Sequence, residues 1–262
     1  MFSNEVLSLE IEGPETAVMG NQVTYKIRFK NSGNFVLENP KLTFQLPENS
    51  LTEDGKLLLT QTLDDIRPGH DGSAIITTNL AGKEGDLKVA GAWLSYNPHN
   101  LTARYESHAT FTTKIDTVPI TLVYDAPPDA ERGEEMSYTL NYASDVNYPL
   151  ERLSIKMDSV SGFSITKTQP FSLDSQEWKI ASLQKGQGGK ITITGQVAGD
   201  APDSFTFSAK LGLWQSNNFV VLREASRTVQ VKGEIMVPSP SPSPSLSPSP
   251  SPSPNGGIQI QL

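Results

Sequence analysis

One feature constrains this chain more than any other: it repeats itself. Gly20-Asn21-Gln22-Val23-Thr24-Tyr25-Lys26-Ile27-Arg28-Phe29 is answered, 113 residues further on, by Gly133-Glu134-Glu135-Met136-Ser137-Tyr138-Thr139-Leu140-Asn141-Tyr142. The match continues through Asn34-Phe35-Val36-Leu37-Glu38 against Asn147-Tyr148-Pro149-Leu150-Glu151, then Leu42 and Phe44 against Ile155 and Met157. The offset grows to 117 where Ile66-Arg67-Pro68-Gly69 meets Leu183-Gln184-Lys185-Gly186. At an offset of 118, Leu87, Val89 and Trp93 face Phe205, Phe207 and Leu211, Tyr96 faces Trp214, and Asn100 faces Asn218. A chain built this way folds one supersecondary arrangement twice, and loops between its elements absorb the growing offset.

Within each copy the apolar period is two. Val23, Tyr25, Ile27 and Phe29 alternate with Thr24, Lys26, Arg28 and Lys30, so one face is buried and the other wet. Similar alternation at 7–11, 42–46, 57–63, 74–80, 87–93 and 105–111 predicts about seven strands in about 110 residues. No helical period is present. The pattern predicts an all-β chain: two tandem immunoglobulin-like antiparallel β-sandwiches plus a disordered Ser-Pro linker. The expected division is a sandwich over 1–115, its repeat over 116–235, a Ser-Pro-rich linker over 236–256, and the possible start of a further strand or domain at 257–262. Gly20, Gly133, Gly69 and Gly186 recur where a tight turn needs positive φ or a close approach of strands. The short junction Asp116-Thr117-Val118-Pro119 predicts nearly rigidly stacked neighbours, the strand ending one leading into the first strand of the next.

The run GNQVTYKIRFKNSGNFVLENPKLTFQLPENS, with the later DIRPGHDGSAIITTNLAG, resembles bacterial surface repeats of unknown function. Their hallmark is a Tyr-x-Ile-x-x-x-Asn-x-Gly strand followed by a Pro-Gly turn. The chain is also similar to the cell-adhesion-related domain of bacteria and archaea. The resemblance covers residues 5–115 well and 118–232 loosely, because Ala143-Ser144-Asp145-Val146 replaces the Asn-Ser-Gly turn. It implies a sandwich fold, export, and a spacer or adhesion role, and it supplies no active-site residues.

Composition narrows the function. A net charge of -8 spread over both halves offers no basic face for nucleic acid. Cysteine is absent, so disulfides, thiolate nucleophiles and Cys-ligated zinc are excluded. No apolar run is long enough to span a bilayer, and an export signal or anchor is expected outside the given chain. His70, His99 and His108 are expected at the surface, since their repeat counterparts are Gln187, Asn217 and Ser226. The acidic pairs Glu53-Asp54 and Asp64-Asp65 lack the spacing of a calcium loop. Trp178 and Phe171 are expected in the core or an edge strand of the second copy.

Catalytic residues, metal ligands and cofactors are therefore not expected, and the chain reads as a non-catalytic spacer or adhesion region of an extracellular surface protein. The alternative is a carbohydrate- or protein-binding module, including one accessory to an extracellular enzyme outside this chain. Its candidate contacts are Tyr96, Asn100, Trp214 and Asn218, with exposed aromatics gathered at one end. Capping of the core end is the competing reading of Tyr96 and Trp214. A cell-wall glycan or another surface protein is the candidate partner. Monomeric beads on a string are expected, with Lys and Glu on the strands opposing sideways association.

Overall fold

A computed structural model describes residues 6–52, 55–172, 174, 176–215 and 217–234. The Ser-Pro segment, the strand expected from 257 and the pair Glu53-Asp54 lie outside the described residues. The first sandwich contains β1 (Leu7–Glu12), β2 (Thr16–Val18), β3 (Gln22–Asn31), β4 (Leu37–Gln45), β5 (Ser50–Leu51), β6 (Leu58–Thr62), β7 (Asp71–Leu80), β8 (Leu87–Pro98) and β9 (Tyr105–Thr117). The second contains β10 (Ile120–Asp125), β11 (Asp129–Glu131), β12 (Glu135–Ser144), β13 (Leu150–Met157), β14 (Phe163–Gln169), β15 (Glu177–Leu183), β16 (Gln187–Val197), β17 (Ser204–Gln215) and β18 (Asn218–Lys232).

The two copies share one topology, strand for strand. Sheet order β1-β3-β7-β5 becomes β10-β12-β16-β14, and β2-β9-β8-β4-β6 becomes β11-β18-β17-β13-β15. This is the expected immunoglobulin-like architecture. The short strands β2 and β11, not expected from alternation, pair parallel with β9 and β18; three residues are too few to show a period. Strand β9 runs to Thr117, past residue 115.

Facing sheets meet through their inward aromatic residues. The Tyr25 ring on β3 lies 5.8 Å from Phe44 on β4, and Tyr138 on β12 lies 4.2 Å from Phe207 on β17. Each such buried side chain contributes on the order of 2 kcal/mol. The four turn glycines Gly20, Gly69, Gly133 and Gly186 all have φ of 77–78°, as the repeat predicted. Asn31, the Asn of the Tyr-x-Ile motif, is fully buried: its Nδ2 donates to the carbonyls of Phe35 and Ile66, and its Oδ1 accepts from Gly33 N. Ser144 holds the same place in the second copy, its Oγ accepting from Val146 N.

Strand β8 departs from expectation. Leu87 and Val89, aligned with buried Phe205 and Phe207, are 66% and 51% exposed. The inward set is Lys88, Ala90, Ala92, Leu94 and Tyr96. Pairing explains the shift: Leu94 sits across from Leu42 and Leu211 across from Ile155, so the equivalent offset is 117, not 118. Apolar residues on both parities of β8 made alternation alone ambiguous.

Candidate functional site

The structure separates the four candidate contacts. Tyr96 and Asn100 belong to the β8–β9 hairpin of the first sandwich, Trp214 and Asn218 to the β17–β18 hairpin of the second. The corrected offset places Tyr96 opposite in parity to Trp214, so the two aromatics occupy different faces of their sheets. Tyr96 points inward, is 7% exposed, and stacks on Tyr105 at 6.2 Å, as the capping reading describes. Burial pushes its phenol above the ordinary value, with Tyr105 adding to the shift.

Asn100 is exposed, at a turn with φ of 64°. Its conformational counterpart is Asn217, with φ of 68°, rather than Asn218. Asn97 closes this loop by donating to the carbonyls of Thr102 and Ala103. His99 Nδ1 meets Glu38 Oε1 at 2.5 Å, and all three histidines are exposed.

Trp214 faces outward and is half-buried. Its Nε1 donates to Ser154 Oγ at 3.1 Å, and Lys156 Nζ lies 4.3 Å from its ring centroid and 4.7 Å from that of Phe219. The contact is a cation–π stack that covers part of the indole face. Trp178 is buried in edge strand β15 and donates to Pro170 O, whereas Phe171 is 80% exposed and stands outside the core.

The β17–β18 hairpin leans on the first sandwich. Gln215 Nε2 donates to Ser50 O, and Arg223 reaches Glu84 at 4.0 Å. A cleft of about 510 Å³ lies here, lined by Leu51 and Thr52 of one sandwich and by Tyr148, Arg152, Trp214 and Gln215 of the other. Exposed aromatics are therefore not gathered at one end: tandem stacking carries the second tip to the junction, while the first tip stays at the far end.

The short junction is legible in the sequence, but the contacts that hold it are not. Val146 is fully buried, and its Cγ1 fills the space that a side chain on Gly20 would need. Asn147 Nδ2 donates to Asn21 Oδ1 at 2.8 Å, Asp145 N donates to Pro119 O, and Val118 is buried. The departure from the Asn-Ser-Gly turn, which weakened the repeat match, is what places Val146 there. At the opposite end of the second sandwich, Arg132 occupies the position of Met19. Its guanidinium donates to Ala201 O, Gly233 O and Asp203 Oδ1.

No family model matches the chain. Among solved structures it is similar to a transglutaminase of red sea bream, with 11% identity and a TM-score of 0.40 over 87% of this chain and 32% of that one. It spans about a third of the transglutaminase. It is also similar to the CARDB domain of a Pyrococcus furiosus protein in complex with di-metal ions: 18% identity, TM-score 0.32, 42% of this chain and 86% of that one. A third similar structure is the C-terminal domain of the Streptococcus pyogenes antigen I/II-family protein AspA, at 6% identity and TM-score 0.34, over 86% of this chain and all of the other. These likenesses concern architecture and nothing finer. Among the described residues no group of three or more His, Asp or Glu could hold a metal ion, and no helix is long and apolar enough to cross a membrane.

Proposed function

We propose that the chain is a non-catalytic spacer and display region of a bacterial surface protein, whose mechanism is stiffness. The sealed joint between the two sandwiches carries this reading. Val146 packed on the Gly20 turn, a two-residue connection and the Asn21–Asn147 bond leave little freedom about the joint. The resemblance of residues 5–115 to bacterial surface repeats supports an extracellular setting. On this reading residues 1–115 and 116–235 are the two beads, with the Ser-Pro-rich linker of 236–256 beyond them.

Two measurements on the full chain test it. Because the chain lacks cysteine, Val89→Cys with Val123→Cys introduces two spin labels at exposed positions on either side of the joint. A stiff joint gives one narrow distance distribution, and a broad one overturns the stiffness reading. A cell-wall pull-down and glycan array run beside Trp214→Ala then decides between spacer and binding module. Binding that depends on Trp214 would overturn the spacer reading in favour of a ligand site at the junction cleft.

A further inference from the structure

The two sandwiches differ at one edge. In the second, β14 covers β16 along Thr192–Val197, and β14 itself carries Lys167 beside a bulge. Charge and a bulge are the ordinary means of blunting an edge. In the first, β5 is two residues long and pairs with β7 only at Asn79 and Leu80. Strand β7 is therefore unpaired on that side from Asp71 to Thr78 among the described residues. Burial records the difference. Inward Ile191 and Ile193 of β16 are almost wholly buried, while their counterparts Ala74 and Ile76 of β7 are only half-buried.

Along the open edge Asp71, at its start, is the one charged residue. Gly72-Ser73-Ala74-Ile75-Ile76-Thr77-Thr78 contains no charge and no proline, and Ile75 at its centre is 67% exposed. Several other open edges carry charge, Glu10 and Glu12 on β1, Glu106 on β9, and Arg223, Glu224 and Arg227 on β18, whereas edge strand β10 has only Asp125 at its end and edge strand β6 has none. Strand β6, at the far edge of the facing sheet, adds exposed Leu58 and Leu59. A flat, uncharged, β-branched edge invites another strand.

We propose that this edge pairs with the same edge of a second copy of the chain, β7 antiparallel to β7, about a two-fold axis at Ile75. Self-complementarity favours that occupant. The register sets Ile75 against Ile75, Ala74 against Ile76, Ser73 against Thr77 and Gly72 against Thr78, with no like charges opposed. A two-fold edge contact closes on itself and joins two four-stranded sheets into one. The pairing is independent of the spacer reading: it sets how copies associate side by side, not what the joint does. It replaces the expectation of monomeric beads, because residues 72–78 carry neither Lys nor Glu.

Sedimentation velocity on the full chain, across a concentration series, tests the proposal. The wild type is expected to approach a species of twice the 28.5 kDa chain mass. Ile75→Lys, which opposes two charges at the axis, is expected to sediment as monomer and to melt where the wild type melts at dilutions that leave it monomeric. Leu101→Lys, an exposed apolar position in the hairpin loop, is expected to dimerise like the wild type. Ile75→Cys in this cysteine-free chain should crosslink to itself with a short bis-maleimide, and Leu101→Cys should not. A wild type monomeric throughout, an Ile75→Lys variant that dimerises undiminished, or equal crosslinking at both positions would overturn it.

Discussion

Val146 Cγ1 occupies the space that a Cβ on Gly20 would fill, so the two sandwiches meet at a position where the first carries no side chain. Gly69 offers an internal comparison: it has the same φ of 77°, with nothing near its missing Cβ. Gly69→Ala is expected to cost about 1 kcal/mol, the strain of a left-handed alanine. Gly20→Ala adds a collision in a packed contact and is expected to cost about 3 kcal/mol. It should also broaden the distance distribution between labels at 89 and 123, which Gly69→Ala leaves narrow. Chemical denaturation and spin-label distances check both.

Tyr25 and Tyr138 hold equivalent core positions with unequal polar company. The Tyr25 hydroxyl bonds Thr113 Oγ1 at 3.0 Å, which itself donates to Pro14 O. Strand pairing makes Val229 the counterpart of Thr113, and neither Tyr138 nor Tyr124 has a hydroxyl partner among the described residues. Burial pushes the Tyr138 phenol far above its ordinary range, with Tyr124 adding to the shift. Tyr25→Phe is expected to cost about 1 kcal/mol, while Tyr138→Phe is neutral or stabilising. Val229→Thr should make Tyr138→Phe costly, a coupling that a double-mutant cycle reads directly.

Asn31→Ala leaves the buried Ile66 carbonyl, the half-buried Phe35 carbonyl and the Gly33 amide without their side-chain partner and is expected to destabilise by about 3 kcal/mol. Asn31→Ser, the residue of the second copy at Ser144, recovers part of that loss by keeping one acceptor for the turn. Urea midpoints at constant m-value are the measurement.

Asp174 gives the turn before β15 a pH dependence. Hydrogen bonds from Gln176 N and Glu177 N, helped by Ser172 Oγ, hold its carboxyl below the ordinary carboxylate value. A carboxylate with a lowered native pKa stabilises fully above its unfolded value and loses that contribution as pH falls through the native one. The protection factors of the Gln176 and Glu177 amides, with the intrinsic pH dependence of exchange divided out, should therefore be constant near neutral pH and fall only on acidification below the ordinary carboxylate range. Asp174→Asn should lose that acid dependence.

Much of this molecule is written in its sequence. The repeat, the inward set of β3 and β12, the positive-φ glycines and the short joint are all local consequences of side-chain parity, steric limits on φ and chain length, and each is readable from neighbouring residues. What required the fold were relationships between distant strands. Pairing of β8 with β4, not alternation, decides that Lys88 and Tyr96 face inward while Leu87 and Val89 do not. Tandem stacking decides that Trp214 lies at the junction and Tyr96 at the end of its sandwich away from it. Among the described residues the two-residue length of β5 leaves β7 open, whereas β14 closes the same edge in the other copy. Parity says which face of a strand is buried; only pairing between remote segments says which strand has a neighbour.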